Sequence, residues 1–125
     1  MSNKYRILVV EDEPDHQAAL AMILSQEDDF DVVTAGDTGE AEKIITGDKV
    51  DVVLMDIALP GESGVDFCKR LKEQGGDGNP PIIALSAYPE AIWKERVLAA
   101  GCVGFLSKPS DPKKIIEAIR KVLPA

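Results

Sequence analysis

Ile7-Leu8-Val9-Val10-Glu11-Asp12 is the stretch on which the fold turns. Four apolar residues follow one another without alternation and stop at two carboxylates. A strand with one wet face would alternate, whereas an unbroken run of this length reads as a strand covered on both sides. The pattern returns at Val52-Val53-Leu54-Met55-Asp56 and at Ile82-Ile83-Ala84-Leu85-Ser86. Strands buried on both faces belong to a parallel sheet with helices packed above and below it.

Outward from these runs, the chain predicts strands near 5–10, 30–35, 50–55, 81–85 and 102–106. They alternate with helices near 14–26, 37–47, 64–74, 89–100 and 111–123. The run Phe30-Asp31-Val32-Val33-Thr34 is the most polar and is expected near a sheet edge. Pro14, Pro89 and Pro112 are placed as first helical residues, where a missing N–H costs nothing. Asp37-Thr38-Gly39-Glu40 and Ser63-Gly64-Val65-Asp66 carry the spacing of a capping box. In the last helix Ile115, Ile116, Ile119, Val122 and Leu123 form one core-facing stripe. Gly75-Gly76-Asp77-Gly78-Asn79-Pro80-Pro81 reads as a loop. Right-handed crossovers then give an α/β fold, a doubly wound (βα)5 three-layer sandwich on a five-stranded parallel sheet.

Composition narrows the function classes. The 125 residues suffice for one domain whose core needs no disulfide or metal staple. With 45% hydrophobic and 29% charged residues, the chain has the profile of a soluble globular protein rather than a disordered one. A net charge of −8 and a pI near 4.6 disfavour a general binder of nucleic-acid phosphates. No apolar run has the length to span a bilayer, and the first residues lack the apolar segment of a signal peptide. Cys68 and Cys102 show no metal-ligand spacing and read as reduced core thiols of a cytoplasmic protein.

In an open parallel α/β sheet, ligands bind beyond the carboxyl ends of the strands. There the runs deliver Glu11 and Asp12, then Asp56, then Ser86, then Ser107 and Lys108. Three carboxylates at one edge raise one another's pKa unless a cation sits among them. The set is all oxygen, with no His or Cys at the strand ends, so it suits a hard divalent ion such as Mg²⁺ and not zinc. With a lysine and a hydroxyl beside the ion, the edge is equipped to handle a phosphoryl group.

Four blocks carry a resemblance: Leu8-Val9-Val10-Glu11-Asp12-Glu13-Pro14; Leu54-Met55-Asp56-Ile57-Ala58-Leu59-Pro60 with Gly64; Ala84-Leu85-Ser86-Ala87; and Gly104-Phe105-Leu106-Ser107-Lys108-Pro109. In this order, over essentially the whole chain, they resemble the receiver domain of two-component response regulators. The resemblance implies a CheY-like, flavodoxin-like sheet of order 2-1-3-4-5 and one receiver domain over residues 1–125. It makes Asp56 the site of phosphorylation, taking a phosphoryl group from a phosphohistidine as an acyl phosphate. Glu11, Asp12, Asp56 and the backbone carbonyl of Ala58 would hold Mg²⁺. Lys108 would pair with the phosphoryl oxygens and Ser86 would hydrogen-bond to them. Phe105 would be the aromatic that turns inward as Ser86 is drawn to the phosphate, and the Lys108–Pro109 bond would be cis.

Glu11 stands where many receivers carry Asp, Ser86 where Thr is as common, and Phe105 where Tyr is found. None of these departures removes the site's chemistry. Ala58 stands where haloacid-dehalogenase-type phosphatases carry an acid, and a methyl group transfers no proton. The acyl phosphate is therefore expected to persist, with Ala58 and the bulky Tyr88 at positions that tune its lifetime.

A signalling domain follows rather than an enzyme, with slow loss of its own phosphoryl group. Upstream it would meet a histidine kinase or a histidine phosphotransfer protein. Downstream it would meet an effector protein or a second copy of itself, through the fourth helix, last strand and last helix. Residues 94–125 hold seven basic and three acidic residues against seven and nineteen in 1–93, which concentrates positive charge there. Neither direct nucleic-acid contact nor a membrane is expected. The alternative is a receiver that binds partners constitutively, without phosphorylation. Absence of a general acid at Ala58, of a G-x-S-x-G elbow and of a usable His argues against a hydrolase. The lone His16 reads as an exposed residue of the first helix, and Trp93 as packing with Ile92 and Val97. A chain ending at Ala125 leaves two expectations open, a free-standing regulator or a receiver cut from a longer protein.

Overall fold

The computed structural model describes residues 4–59, 61–75, 79–108 and 111–123. Strands β1 (Tyr5–Val10), β2 (Phe30–Ala35), β3 (Val52–Asp56), β4 (Ile82–Ser86) and β5 (Gly104–Ser107) alternate with helices along the chain. The helices are α1 (Pro14–Ser25), α2 (Thr38–Gly47), α3 (Gly64–Gly75), α4 (Glu90–Ala99) and α5 (Pro112–Val122). All strand pairs are parallel and the sheet order is β2-β1-β3-β4-β5, so the polar run at β2 does lie on an edge.

The unbroken apolar runs have a simple cause. Successive side chains of a strand point to opposite faces, and here both faces are core. Leu8, Val10, Val53, Met55 and Ala84 pack with Ala41 of α2, Phe67, Cys68 and Leu71 of α3 and Val97 of α4. Their neighbours Ile7, Val9, Val52, Leu54, Ile83 and Leu85 pack with Leu20 and Leu24 of α1 and Ile115 and Ile119 of α5. Each such aliphatic side chain contributes roughly 1.5–3 kcal/mol when fully buried. A one-residue slip of register would exchange the two sets, so the central strands are held firmly in place.

Local details depart from expectation in three places. β3, β4 and β5 begin one or two residues later than the apolar runs and end one residue later. Val50 and Cys102 are buried without pairing in the ladder, and Pro81 has no N–H to pair, though its carbonyl accepts from Val53 at 2.9 Å. Pro89 is not the first residue of α4 but its N-cap, with an extended ψ of 126° and a carbonyl that takes the N–H groups of Ile92 and Trp93. Gly75 closes α3 rather than opening the loop; Gly76, Asp77 and Gly78 lie outside the described residues.

The helix starts that lead from the site are capped as their sequences suggest. Asp37 accepts the Glu40 N–H at 2.8 Å and Ser63 accepts the Asp66 N–H at 3.1 Å, contacts worth about 1 kcal/mol each. Arg70 of α3 reaches back to Glu62 at 2.9 Å and across to Glu42 at 2.8 Å, which anchors the segment after Asp56 to α2 and α3.

Candidate functional site

The carboxyl ends of β1, β3, β4 and β5 carry every charged or hydroxyl group expected there. Val10 pairs with Met55, so Glu11, the first residue past β1, stands beside Asp56, the last residue of β3. Asp56 pairs with Leu85, one residue short of Ser86, and Ser86 pairs with Ser107, one residue short of Lys108. The one-residue extension of these strands is therefore what lays the polar groups on the rim.

Lys108 binds the rim together. Its ammonium donates to Asp56 Oδ2 at 2.7 Å and to Glu11 Oε1 at 3.2 Å. Glu11 is 2% exposed and Asp56 8%. Burial works to raise the Asp56 carboxyl, yet the Lys108 ammonium and the Ala58 N–H outweigh it and hold Asp56 below the usual carboxylate range. Burial likewise works to lower Lys108, and the two carboxylates reverse it, so its pKa is raised. The cation that three clustered carboxylates require is thus supplied in part by the chain itself.

Asp12 is exposed, and one carboxylate oxygen from each of Glu11, Asp12 and Asp56 lies within 4.8 Å of the others. Oxygens on opposite sides of a Mg²⁺ ion stand roughly 4.1 Å apart. Three hard, anionic oxygens at this spacing fit such an ion with little adjustment. Softer metals have less to gain, since no thiolate belongs to this set.

Asp56 Oδ1 accepts the Ala58 N–H at 2.9 Å, which fixes the carboxylate plane and turns the chain sharply after β3. The Ala58 side chain itself is exposed. Ser86 is 1% exposed; its Oγ accepts the Tyr88 N–H at 2.9 Å and its carbonyl accepts the Lys108 N–H at 2.7 Å. This local side-chain–backbone bond uses the hydroxyl only as acceptor, leaving its proton to donate. Phe105 is half-buried against the α2–α3–α4 side of the core. Tyr88 is 41% exposed and stacks on Trp93 with ring centroids 4.9 Å apart, while Arg96 caps the other aromatic at 5.1 Å. Trp93 does pack against the core, but Ile92, its expected companion, is 54% exposed. Pro109 lies outside the described residues, and so does the expected cis bond.

Three features escaped the sequence. His16 is half-buried rather than exposed, because Pro14 starts α1 so that the imidazole Nδ1 folds back onto Glu11 Oε1. Gln17, the next residue, donates to the carbonyls of Glu11 at 2.9 Å and Ala35 at 3.2 Å, joining the ends of β1 and β2. Gly64 is required by close approach: a Cβ there would meet Ile57 Cα at 2.7 Å and the Asp56 carbonyl at 3.0 Å. Its place in the block around Asp56 was visible, but not this reason.

With this geometry in hand, comparison with known proteins is specific. The sequence profile of the response regulator receiver domain matches residues 7–120. The DNA-binding response regulator MtrA of Mycolicibacterium smegmatis is 32% identical over 94% of this chain and 50% of its own length. The phosphate regulon transcriptional regulatory protein PhoB of Escherichia coli is 34% identical over 94% of this chain and 51% of its own. The chain therefore spans about half the length of these two relatives. Chemotaxis protein CheY4 of Vibrio cholerae superposes with a TM-score of 0.86 at 26% identity, covering 96% of this chain and 99% of that one. The non-phosphorylated HemR receiver domain of Leptospira biflexa gives 0.83 at 29% identity, covering 98% and 96%.

Proposed function

The chain belongs to the response-regulator receiver family of two-component signalling, and from that premise we propose that it is a switch thrown by phosphorylation of Asp56. The observation that carries the reading is the Lys108 ammonium seated 2.7 Å from Asp56 Oδ2, with Glu11 and Asp12 alongside. An Asp56 oxygen attacks the phosphorus of an N-phosphorylated imidazole on a histidine kinase or histidine phosphotransfer protein. The new O–P bond forms as the N–P bond breaks, and the electron pair leaves on the imidazole nitrogen.

Glu11, Asp12, Asp56 and the Ala58 carbonyl are the groups that would hold Mg²⁺. When bound, the ion neutralises charge on the transferring phosphoryl oxygens. Lys108 gives up part of its contact with Asp56 and pairs with a phosphoryl oxygen, and the Ser86 hydroxyl donates its remaining proton to another. The Ala58 N–H keeps the Asp56 carboxylate from turning. As Ser86 is drawn in, Phe105 follows, and the face formed by α4, β5 and α5 changes for its effector or for a second copy of the chain.

Ala58 takes no proton from an attacking water, and Tyr88, two residues beyond Ser86, would narrow the approach of that water, so autodephosphorylation is slow. We assign residues 1–125 to one receiver acting in the cytoplasm. MtrA is named as DNA-binding; with a net charge of −8 this chain leaves nucleic-acid contact, and any membrane contact, to other parts of the system.

Intact-mass measurement after incubation with acetyl phosphate tests the reading. One phosphoryl adduct is expected, absent without Mg²⁺ and absent in Asp56→Asn. Persistence of the adduct in Asp56→Asn moves the acceptor elsewhere. No adduct with any donor, together with unchanged partner binding in Asp56→Asn, favours the constitutive module.

A further inference from the structure

Two cysteines 34 residues apart meet in the core on the side of the sheet away from α1 and α5. Cys102 Sγ lies 3.1 Å from Cys68 Sγ, roughly 1 Å beyond the ~2.05 Å of a disulfide bond. Both side chains are buried. Cys68 sits on α3, and Cys102 stands two residues ahead of β5.

The pair is not sealed. A cleft of about 400 Å³ reaches its Cys68 side, lined by Cys68, Leu71, Lys72, Asn79, Gly101 and Val103 among others. Gly101 has φ +111°, a conformation that favours glycine, and a Cβ there would stand 2.9 Å from Lys72 Cδ and 3.8 Å from Cys68 Sγ. The missing side chain thus leaves open the passage to Cys68. Lys72 is four residues beyond Cys68 and so on the same face of α3.

The two thiols are electrostatically unequal. Cys102 directs its S–H at Cys68, and this, with Lys72, pulls Cys68 below the ordinary thiol range against its own burial. The same contact, with burial, pushes Cys102 up. A lowered thiol facing a cleft, backed by a second thiol in contact, is the arrangement of an attacking and a resolving cysteine.

We propose that Cys68 and Cys102 are a reversible dithiol–disulfide site, with Cys68 attacking a small peroxide that enters the cleft. The Cys68 thiolate attacks one peroxide oxygen, the O–O bond breaks, and protonated hydroxide leaves as water, giving a sulfenic acid. Cys102 sulfur then attacks the Cys68 sulfur, the S–O bond breaks, and a second water leaves with the Cys102 proton. Two thiols lose two electrons to one hydrogen peroxide, and an external thiol reverses the step. The crosslink pins the entrance of β5 to α3.

The full chain is treated with increasing hydrogen peroxide, denatured in excess N-ethylmaleimide, and weighed intact. The expected product is monomeric and 2 Da lighter, carries no maleimide, shows the two cysteine peptides joined on non-reducing digestion, and is restored by dithiothreitol. In Cys102→Ser, Cys68 should accumulate as a sulfenic acid captured by dimedone. In Cys68→Ser, Cys102 should react roughly tenfold more slowly than Cys68 does in Cys102→Ser. Two maleimides on the oxidised wild type, or a disulfide-linked dimer in place of the monomer, overturns the site; equal rates in the two variants overturn the assignment of Cys68 as attacker. The wild-type measurement stands even if a variant fails to fold.

Discussion

Lys108 reaches across 52 residues of sequence to place its ammonium 2.7 Å from Asp56 Oδ2, and the same nitrogen stands 3.2 Å from Glu11 Oε1. One cation from the end of β5 therefore serves carboxylates from the ends of β1 and β3. Removing it should have opposite effects on two properties that are easily measured apart.

In Lys108→Ala the three carboxylates lose their internal counter-charge. Mg²⁺ should then bind more tightly, by about 1 kcal/mol or roughly fivefold at the effective dielectric of a part-exposed site. Phosphoryl transfer from acetyl phosphate should fall by at least about tenfold, because an electrostatic partner of the transferring group is gone. Calorimetric Mg²⁺ titration beside intact-mass kinetics checks both. Weaker Mg²⁺ binding in the variant would mean that Lys108 orders the carboxylates more than it competes with the ion.

The metal-free protein should have a stability window set by this contact. The Asp56 pKa is lowered, so its share of stability is complete above the ordinary carboxylate value of about 3.9 and is lost as pH falls through the depressed one. The Lys108 pKa is raised, so its share is complete below about 10.4 and is lost as pH rises through the elevated one. Urea denaturation in EDTA from pH 3 to 11 should show both limbs. The difference between wild type and Asp56→Asn should shrink towards acid pH; a constant difference would deny Asp56 its part in the acid limb.

Much of this arrangement is legible in the amino-acid sequence alone. Ile7-Leu8-Val9-Val10 runs unbroken because alternate residues feed separate cores, and that periodicity needs no knowledge of the partners. Glu11, Asp56, Ser86 and Lys108 were legible because a parallel sheet brings strand ends to one rim. What stayed hidden depends on side-chain direction between distant elements. His16 turns onto Glu11 because of how α1 leaves the rim, and Cys68 meets Cys102 because of how α3 is rotated on the sheet. Neither direction leaves a mark in local spacing.

Gly64 offers a test of how rigidly the Asp56 turn is held. A methyl group at 64 would lie 2.7 Å from Ile57 Cα, backbone that cannot move aside without shifting Asp56. Gly64→Ala should cost about 1–3 kcal/mol in chemical denaturation and slow phosphorylation as well. Gly47, the last residue of α2, has nothing within 4 Å of its Cβ position. Gly47→Ala should be neutral or stabilising by up to about 1 kcal/mol, with phosphorylation unchanged. If Gly64→Ala lowered stability but left phosphorylation at the wild-type rate, the turn would be less rigid than its packing implies.

If Tyr88 screens Asp56 from water as proposed, its stack on Trp93 governs how long the phosphoryl group remains. Tyr88 follows Ser86 by two residues and its ring rests on Trp93, which Arg96 covers in turn. A stack of this kind contributes about 0.5–1.5 kcal/mol beyond its buried area, enough to keep an exposed ring in one place most of the time. Tyr88→Ala should therefore shorten the half-life of the adduct several-fold by opening the approach of water, while its rate of formation changes little. Trp93→Ala should shift the half-life in the same direction and by less, since the phenol remains but is no longer pinned. Both are read from the decay of the adduct mass after the donor is removed. An unchanged half-life in Tyr88→Ala would show that water reaches Asp56 by another path, and would move the control of lifetime to Ala58.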